Sequence, residues 1–265
     1  MTKPIIIANW KMNPSTQKEV ERLLDSFKIK NKKEVEIVIC PPFIYLGLIK
    51  DRFVGVPARG GLAFGSQDCF WENRGPYTGE ISPAMLKDLG CQYVIIGHSE
   101  RKKHFNETDE MVNMKIRAVL KARLKPILCV GEEARDSFDH EGRPINEMSL
   151  VVKEQLEKAL IDISAERIRD ITFVYEPVWA ISTESGNPCS ADDAMKAGLL
   201  IRRTLVQLYG RKIAEKARII YGGSVNSRNV QEYIKGAQMD GVLVGGASLN
   251  ASEFNKIIEK VNEIS

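Results

Sequence analysis

Three apolar runs in this chain end in residues that do chemistry. "ITFVYEPVWAISTESGNPCS" leads into Glu176, "YVIIGHSE" into His98 and "IIIANWKMN" into Asn9 and Lys11. Two further runs end in glycine pairs, "RIIYGGS" at Gly222, Gly223 and Ser224 and "GVLVGGAS" at Gly245 and Gly246. A carboxylate flanked by Tyr175, Pro177 and Trp179 loses water when a neighbouring segment covers it, and desolvation strengthens it as a base. A neutral imidazole beside it would polarise a carbonyl or carry protons between adjacent oxygens. Glycine lets backbone N–H groups approach an anion closely, and a lysine at the same mouth attracts one. Each residue has a plainer reading: a surface glutamate, a structural histidine, a solvated lysine, two tight turns. Glu100, next to Arg101, reads more simply as an ion-network partner than as a catalyst. Taken together, base, imidazole, amine and phosphate grip describe proton abstraction beside a carbonyl, as in an aldose–ketose isomerase acting on a small sugar phosphate.

Such a set works only if the strand ends meet. Eight short runs rich in Ile, Val and Leu recur along the chain: "IIIAN", "VEIVIC", "LAFGSQ", "YVIIGH", "PILCVG", "ITFVYE", "RIIYGG" and "GVLVGG". Several are continuously apolar, as parallel strands covered on both faces are. Helical stretches lie between them. "ISPAMLKDLG" places Ser82 at an N-cap, Pro83 at the first helical position and Gly90 at the stop. "TDEMVNMKIRAVLKARL" puts Met111, Met114, Ala118 and Leu120 at roughly helical spacing, and Ser190 with Asp193 reads as a capping box. Eight β–α units over 265 residues predict one α/β domain, residues 1–265, folded as a (β/α)8 TIM barrel. A doubly wound sheet would carry G-x-G-x-x-G after its first strand, where this chain has "NWKMNPS". In such barrels the strand C-termini build the site, and loops seven and eight commonly hold phosphate.

Composition narrows the classes further. The net charge of +3, with acids and bases interleaved, gives no nucleic-acid stripe. Five cysteines without a C-x-x-C pair predict reduced thiols in a cytoplasmic protein. His98 and His104 lack the spacing of a helical metal pair, so no metal is expected. No run is long and apolar enough to cross a membrane.

The motifs "ANWKMN", "TGEISPAMLKDLG", "VIIGHSER", "CVGE", "YEPVWAI", "IIYGGSV" and "DGVLVGGASL" resemble those of the triosephosphate isomerases, in that family's order and across essentially the whole chain. The glutamate base, neutral histidine and closing loop of that family are an established pattern. The resemblance implies interconversion of dihydroxyacetone phosphate and D-glyceraldehyde 3-phosphate without a cofactor. Glu176 is then the base, His98 the electrophile, Asn9 and Lys11 substrate contacts, and Ser99 and Glu100 supports. Backbone N–H groups at Ser182, Ser224, Gly245 and Gly246 hold the phosphate. It also implies a homodimer in which "CFWENRGPYTGE" (69–80), with Tyr77 and Thr78, enters the second subunit's site. Exposed Phe70, Trp71 and Tyr77 would suit that insertion.

The chain departs from the family pattern in two places. The flap after Trp179 reads Ala180-Ile181-Ser182-Thr183-Glu184-Ser185 where the family has A-I-G-T-G-K, and Asp68 stands where an asparagine is usual. The altered flap keeps open an isomerase of a four-carbon ketose phosphate. A barrel that only binds phosphate or a partner is the remaining alternative, disfavoured because Lys11, His98 and Glu176 are all present.

Overall fold

The computed structural model describes residues 3–28, 35–53, 62–135, 137–138, 141, 144–181 and 189–264. Eight parallel strands form a closed barrel: β1 (Ile5–Asn9), β2 (Glu36–Cys40), β3 (Leu62–Ser66), β4 (Tyr93–Ile96), β5 (Lys125–Val130), β6 (Thr172–Tyr175), β7 (Arg218–Tyr221) and β8 (Gly241–Val244). Each is one of the runs picked out above. Between the strands run α1 (Gln17–Ser26), α2 (Leu46–Phe53), α3 (Pro83–Asp88), α4 (Ser99–Phe105), α5 (Asp109–Lys121), α6 (Glu147–Ala159), α7 (Ala191–Tyr209) and the short α8 (Arg211–Ala214), with α9 (Ala251–Asn262) closing the chain. The connection from β5 to α6 carries a small antiparallel ribbon, Ser137–Phe138 against Pro144–Ile145.

Strand side chains alternate between two cores. Ile5, Ile7, Val38, Ile95, Ile127 and Val174 point into the barrel, whereas Ile6, Ile37, Val94, Leu128 and Phe173 pack outward beneath the helices. At the N-terminal end Glu36 accepts a hydrogen bond from Arg218 Nη1 at 2.7 Å and a second from the Tyr93 hydroxyl. That end is plugged, leaving chemistry to the opposite mouth.

Local signals place the helices, with two corrections. Ser82 Oγ accepts from Met85 N at 3.2 Å, Pro83 opens α3 and Gly90 takes a φ of +90°. Ser190 Oγ accepts from Asp193 N at 3.1 Å, but the Asp193 carboxylate turns outward to Arg135 Nη2 at 3.1 Å. Only half of the expected capping box forms, because a stronger charged partner claims the acid. In α5 the buried face is Val112, Ile116, Val119 and Leu120, with Met114 exposed. The stripe read from Met111 and Met114 was rotated because Lys115, a charged residue, occupies the core side.

Lys115 is buried because it enters a four-charge cluster. Its Nζ lies 2.8 and 3.0 Å from the two Asp68 oxygens and also meets Glu107, while Arg101 Nε stands 2.8 Å from Asp68 Oδ2. Two acids and two bases balance there, where an asparagine in place of Asp68 would leave an excess cation. Burial pushes the Asp68 carboxyl up to about 6, against the pull of Lys115 and with the push of Glu107. Asp68 therefore holds its proton more tightly folded than unfolded. Its stabilisation is fully present below about pH 4 and is lost as pH rises through about 6, a change of about 2–3 kcal/mol at most. Measured as Tm from pH 4 to 8, the unmodified protein should lose stability relative to Asp68→Asn as pH rises. A constant difference would mean that Lys115 and Arg101 keep Asp68 ionised throughout.

Candidate active site

The mouth of the barrel is built around a buried carboxylate. Glu176 follows β6 and is 3% exposed. Its Oε2 accepts from the Ser99 N–H at 3.0 Å, and its Oε1 accepts from Ser99 Oγ at 2.9 Å and lies 3.0 Å from His98 Nε2. Both donors stand where β4 runs into α4. His98, 4% exposed, occupies the N-cap of that helix, and its Nδ1 accepts from the Glu100 N–H at 3.3 Å. Nδ1 is thus an acceptor and the ring proton sits on Nε2, aimed at Glu176.

Lys11 lies on another side of the mouth, just beyond β1. It adopts a left-handed φ of 53°, unusual for a residue with a side chain. Three bonds impose that turn: Lys11 N donates to Asn9 Oδ1 at 3.0 Å, and Gln67 Nε2 donates to Lys11 O at 2.8 Å and to Cys40 O at 2.9 Å. The ammonium donates to Glu100 Oε1 at 2.7 Å. Partial burial opposes the charge of Glu100, but the bond from Lys11 and the charge of its ammonium outweigh it and hold the carboxyl below its usual range. The plainer reading of Glu100 as an ion-network partner is the geometry observed.

Close approach requires glycine at the first pair, whereas the second pair has room beside it. A Cβ at Gly223 would lie 2.2 Å from the Tyr221 hydroxyl, and one at Gly222 would lie 2.4 Å from a Val174 methyl. Gly245 faces the Lys11 side chain; a Cβ there would lie 3.5 Å from Lys11 Cε, and the space beside Gly246 is open. Gly246 opens a short 3₁₀ turn, Gly246–Leu249, pinned by Ser248 N to Gly245 O at 2.8 Å. Ser224 Oγ donates to Ala180 O at 2.8 Å and so ties the β7 loop to the root of the flap. Asn9, Lys11, Ser224, Gly245 and Gly246 therefore share one mouth with His98 and Glu176. Ser182 and the flap through Pro188 lie outside the described residues.

Reading the sequence missed the scaffold around Glu176. Glu132, 2% exposed at the end of "CVGE", accepts on Oε1 from the Tyr175 hydroxyl and from Trp179 Nε1, both at 2.7 Å. Burial raises its carboxyl above the usual range, against those two bonds. Glu132 thus grips the residues on either side of Glu176. Gln67 and Glu132 both sat among the strand-end residues, which was the available signal; nothing in sequence tells that they brace other residues. A cavity of about 360 Å³ also opens behind Glu176, between α4 and α6, away from Lys11 and the glycine loops.

The aromatic loop differs in part from expectation. Phe70 and Trp71 are half-buried and stack on each other at 4.0 Å between ring centroids, and Phe70 lies 4.6 Å from Tyr77. Only Tyr77 of the three is exposed, at 42%, because the rings shield one another. Among the described residues no group of three or more His, Cys, Asp or Glu is arranged to hold a metal, and no helix is long and apolar enough to cross a membrane.

A closed (β/α)8 barrel with a buried carboxylate–imidazole pair, an amine and two glycine loops at its C-terminal mouth is built for acid–base chemistry on a small anion. Residues 4–261 match the family model described as triosephosphate isomerase. The chain is 44% identical over 260 residues to "Triosephosphate isomerase" of Dictyoglomus turgidum, covering 97% of this chain and 99% of that one. It is 45% identical over 259 residues to the protein of the same name from Alkaliphilus oremlandii, again covering 97% and 99%. For Carboxydothermus hydrogenoformans the identity is 43% over 262 residues, covering 98% and 99%. The chain belongs to the triosephosphate isomerase family.

The imidazole arrangement is directly measurable. In ¹⁵N NMR near neutral pH, His98 should show a pyrrole-type Nε2 and a pyridine-type Nδ1. The reverse tautomer, or two protonated nitrogens, would contradict the hydrogen bonds described above.

Proposed function

We propose that this protein is a triosephosphate isomerase interconverting dihydroxyacetone phosphate and D-glyceraldehyde 3-phosphate. The observation that carries the reading is the pairing of Glu176 with the Nε2–H face of His98 at 3.0 Å, at the mouth where Lys11 lies against Gly245. Substrate enters with its phosphate toward Lys11 and the N–H groups of Ser224, Gly245 and Gly246, with Ser182 assigned to the same grip. Asn9 faces the reacting end from β1. Glu176 exchanges its bonds to Ser99 and His98 for the substrate and takes a proton from the carbon beside the carbonyl. The electron pair moves onto the carbonyl oxygen, where His98 Nε2–H stabilises the enediolate. His98 passes a proton between the two oxygens, and Glu176 returns its proton to the neighbouring carbon. Glu100 keeps Lys11 aimed and Ser99 holds Glu176 in its resting place. Nothing is consumed, which matches a reaction between isomers.

A four-carbon substrate draws no support from the relatives, whose names are those of the triose enzyme. We further propose that the working form is a homodimer in the cytoplasm. Met12 at 91% exposure, Ile44 at 80% and Tyr77 stand out from the loops around the mouth, an apolar display that suits a second copy better than water. Tyr77 and Thr78 are assigned to that contact.

Glu176→Gln keeps shape and loses the base. It should lower kcat by about 10²–10⁴-fold while inorganic phosphate still binds. A variant with more than half of the unmodified kcat would remove Glu176 from the role. For the dimer, sedimentation of the active protein at assay concentrations should give twice the chain mass; a fully active monomer would refute it.

A further inference from the structure

Beyond Val130 the chain keeps running beside the end of β6. Glu176 N donates to Val130 O at 2.8 Å, and Val178 N donates to Glu132 O at 3.0 Å. In a parallel ladder alternate residues turn their peptide groups to opposite neighbours, so those of Gly131 face the side of β4. There β4 has already ended at Ile96, and the chain has turned through Gly97 toward α4. Without a substitute, the Gly131 N–H and C=O would be orphaned in a partly covered place. Gln155, in the third turn of α6, supplies both partners. Gly131 N donates to Gln155 Oε1 at 2.9 Å, and Gln155 Nε2 donates to Gly131 O at 3.1 Å. One side-chain amide does the work of the missing strand.

Gly131 is also where the chain presses against the base. A Cβ at Gly131 would lie 1.8 Å from the Glu176 carbonyl oxygen and 2.5 Å from its carbonyl carbon. Contact this close transmits any shift of Gly131 to the peptide that carries Glu176. On the α6 side lies the cavity behind Glu176, whose walls include Gly131, Gln155, Ser99 and Glu176 itself. A cavity open to solvent on that side gives Gly131 no side-chain packing support. The amide pair is therefore what restrains Gly131 from that side.

We propose that Gln155 is a positioning residue for the isomerisation: its amide holds Gly131 against the backbone of Glu176 and so sets where the base stands relative to His98 and substrate. It donates to and accepts from Gly131 alone among the described residues, and it acts entirely through that glycine. The proposal rests on the isomerase reading.

Two variants test it. Gln155→Met keeps the length and loses both bonds. Gln155→Glu keeps the acceptor for Gly131 N–H but sets a carboxylate oxygen against Gly131 O. A misplacement of about 1 Å costs roughly 10²-fold in rate, so kcat should fall by about 10–100-fold in the methionine variant and also fall in the glutamate variant. Inhibition by inorganic phosphate, gripped across the mouth by Lys11 and the glycine loops, should stay as in the unmodified protein. Substrate deuterated at the abstracted position should show a larger primary isotope effect on kcat than in the unmodified protein, because proton transfer has become the slow step. More than half of the unmodified kcat in either folded variant would overturn the proposal. So would a fall in kcat with an equal loss of phosphate binding and an unchanged isotope effect, the mark of general loosening. If the methionine variant does not fold, the glutamate variant decides by the same measures. An unmodified protein inactive on triose phosphates would take the isomerase reading down as well; an active one with insensitive variants sinks only the role of Gln155.

Discussion

The register of β4, β5 and β6 is the constraint on which the site depends. Ile96 pairs with Leu128 and Val130 with Tyr175, so β4 and β6 reach the mouth on either side of the same strand. One residue past Tyr175 comes Glu176, and two past Ile96 comes His98. A one-residue slip would reverse which face each side chain takes and send one of them into the wall. The 3.0 Å approach of imidazole and carboxylate is therefore a property of strand pairing before it is a property of either residue.

Around that pair, charge is handled by pairing. Lys11 is met by Glu100, and the buried Asp68, Glu107 and Lys115 and the half-buried Arg101 neutralise one another beside the aromatic loop. The exception is Glu132. Its buried carboxylate is met by a phenol and an indole, and no cation pairs with it among the described residues. Taking a carboxylate out of water without a cation is expensive, and two neutral donors offset only part of the cost. What the arrangement provides is fixed geometry on both sides of Glu176, in residues 175 and 179.

Much of this was legible in the linear chain. The eight apolar runs predicted the strands because each is too continuous and too short for an amphipathic helix. Since barrel strands all point one way, their ends marked Asn9, Lys11, His98, Glu176 and the glycine pairs as neighbours. Ser82, Pro83 and Gly90 specified α3 by local backbone chemistry that needs no tertiary partner. The face of α5 was misread for the opposite reason: the position of Lys115 depends on Asp68, distant in sequence, and on Glu107 from the turn before the helix, both met only after folding.

By itself, then, the sequence determined which residues reach the mouth and what chemistry their types permit, because strand periodicity and glycine freedom are local properties. Only the tertiary structure decided how they are held. The tautomer of His98 follows from a helix N–H, the left-handed turn of Lys11 from Gln67, and the seat of Glu176 from Glu132, Gly131 and Gln155. Those are contacts between elements, set by packing distances of a few ångströms, and no spacing along the chain encodes them.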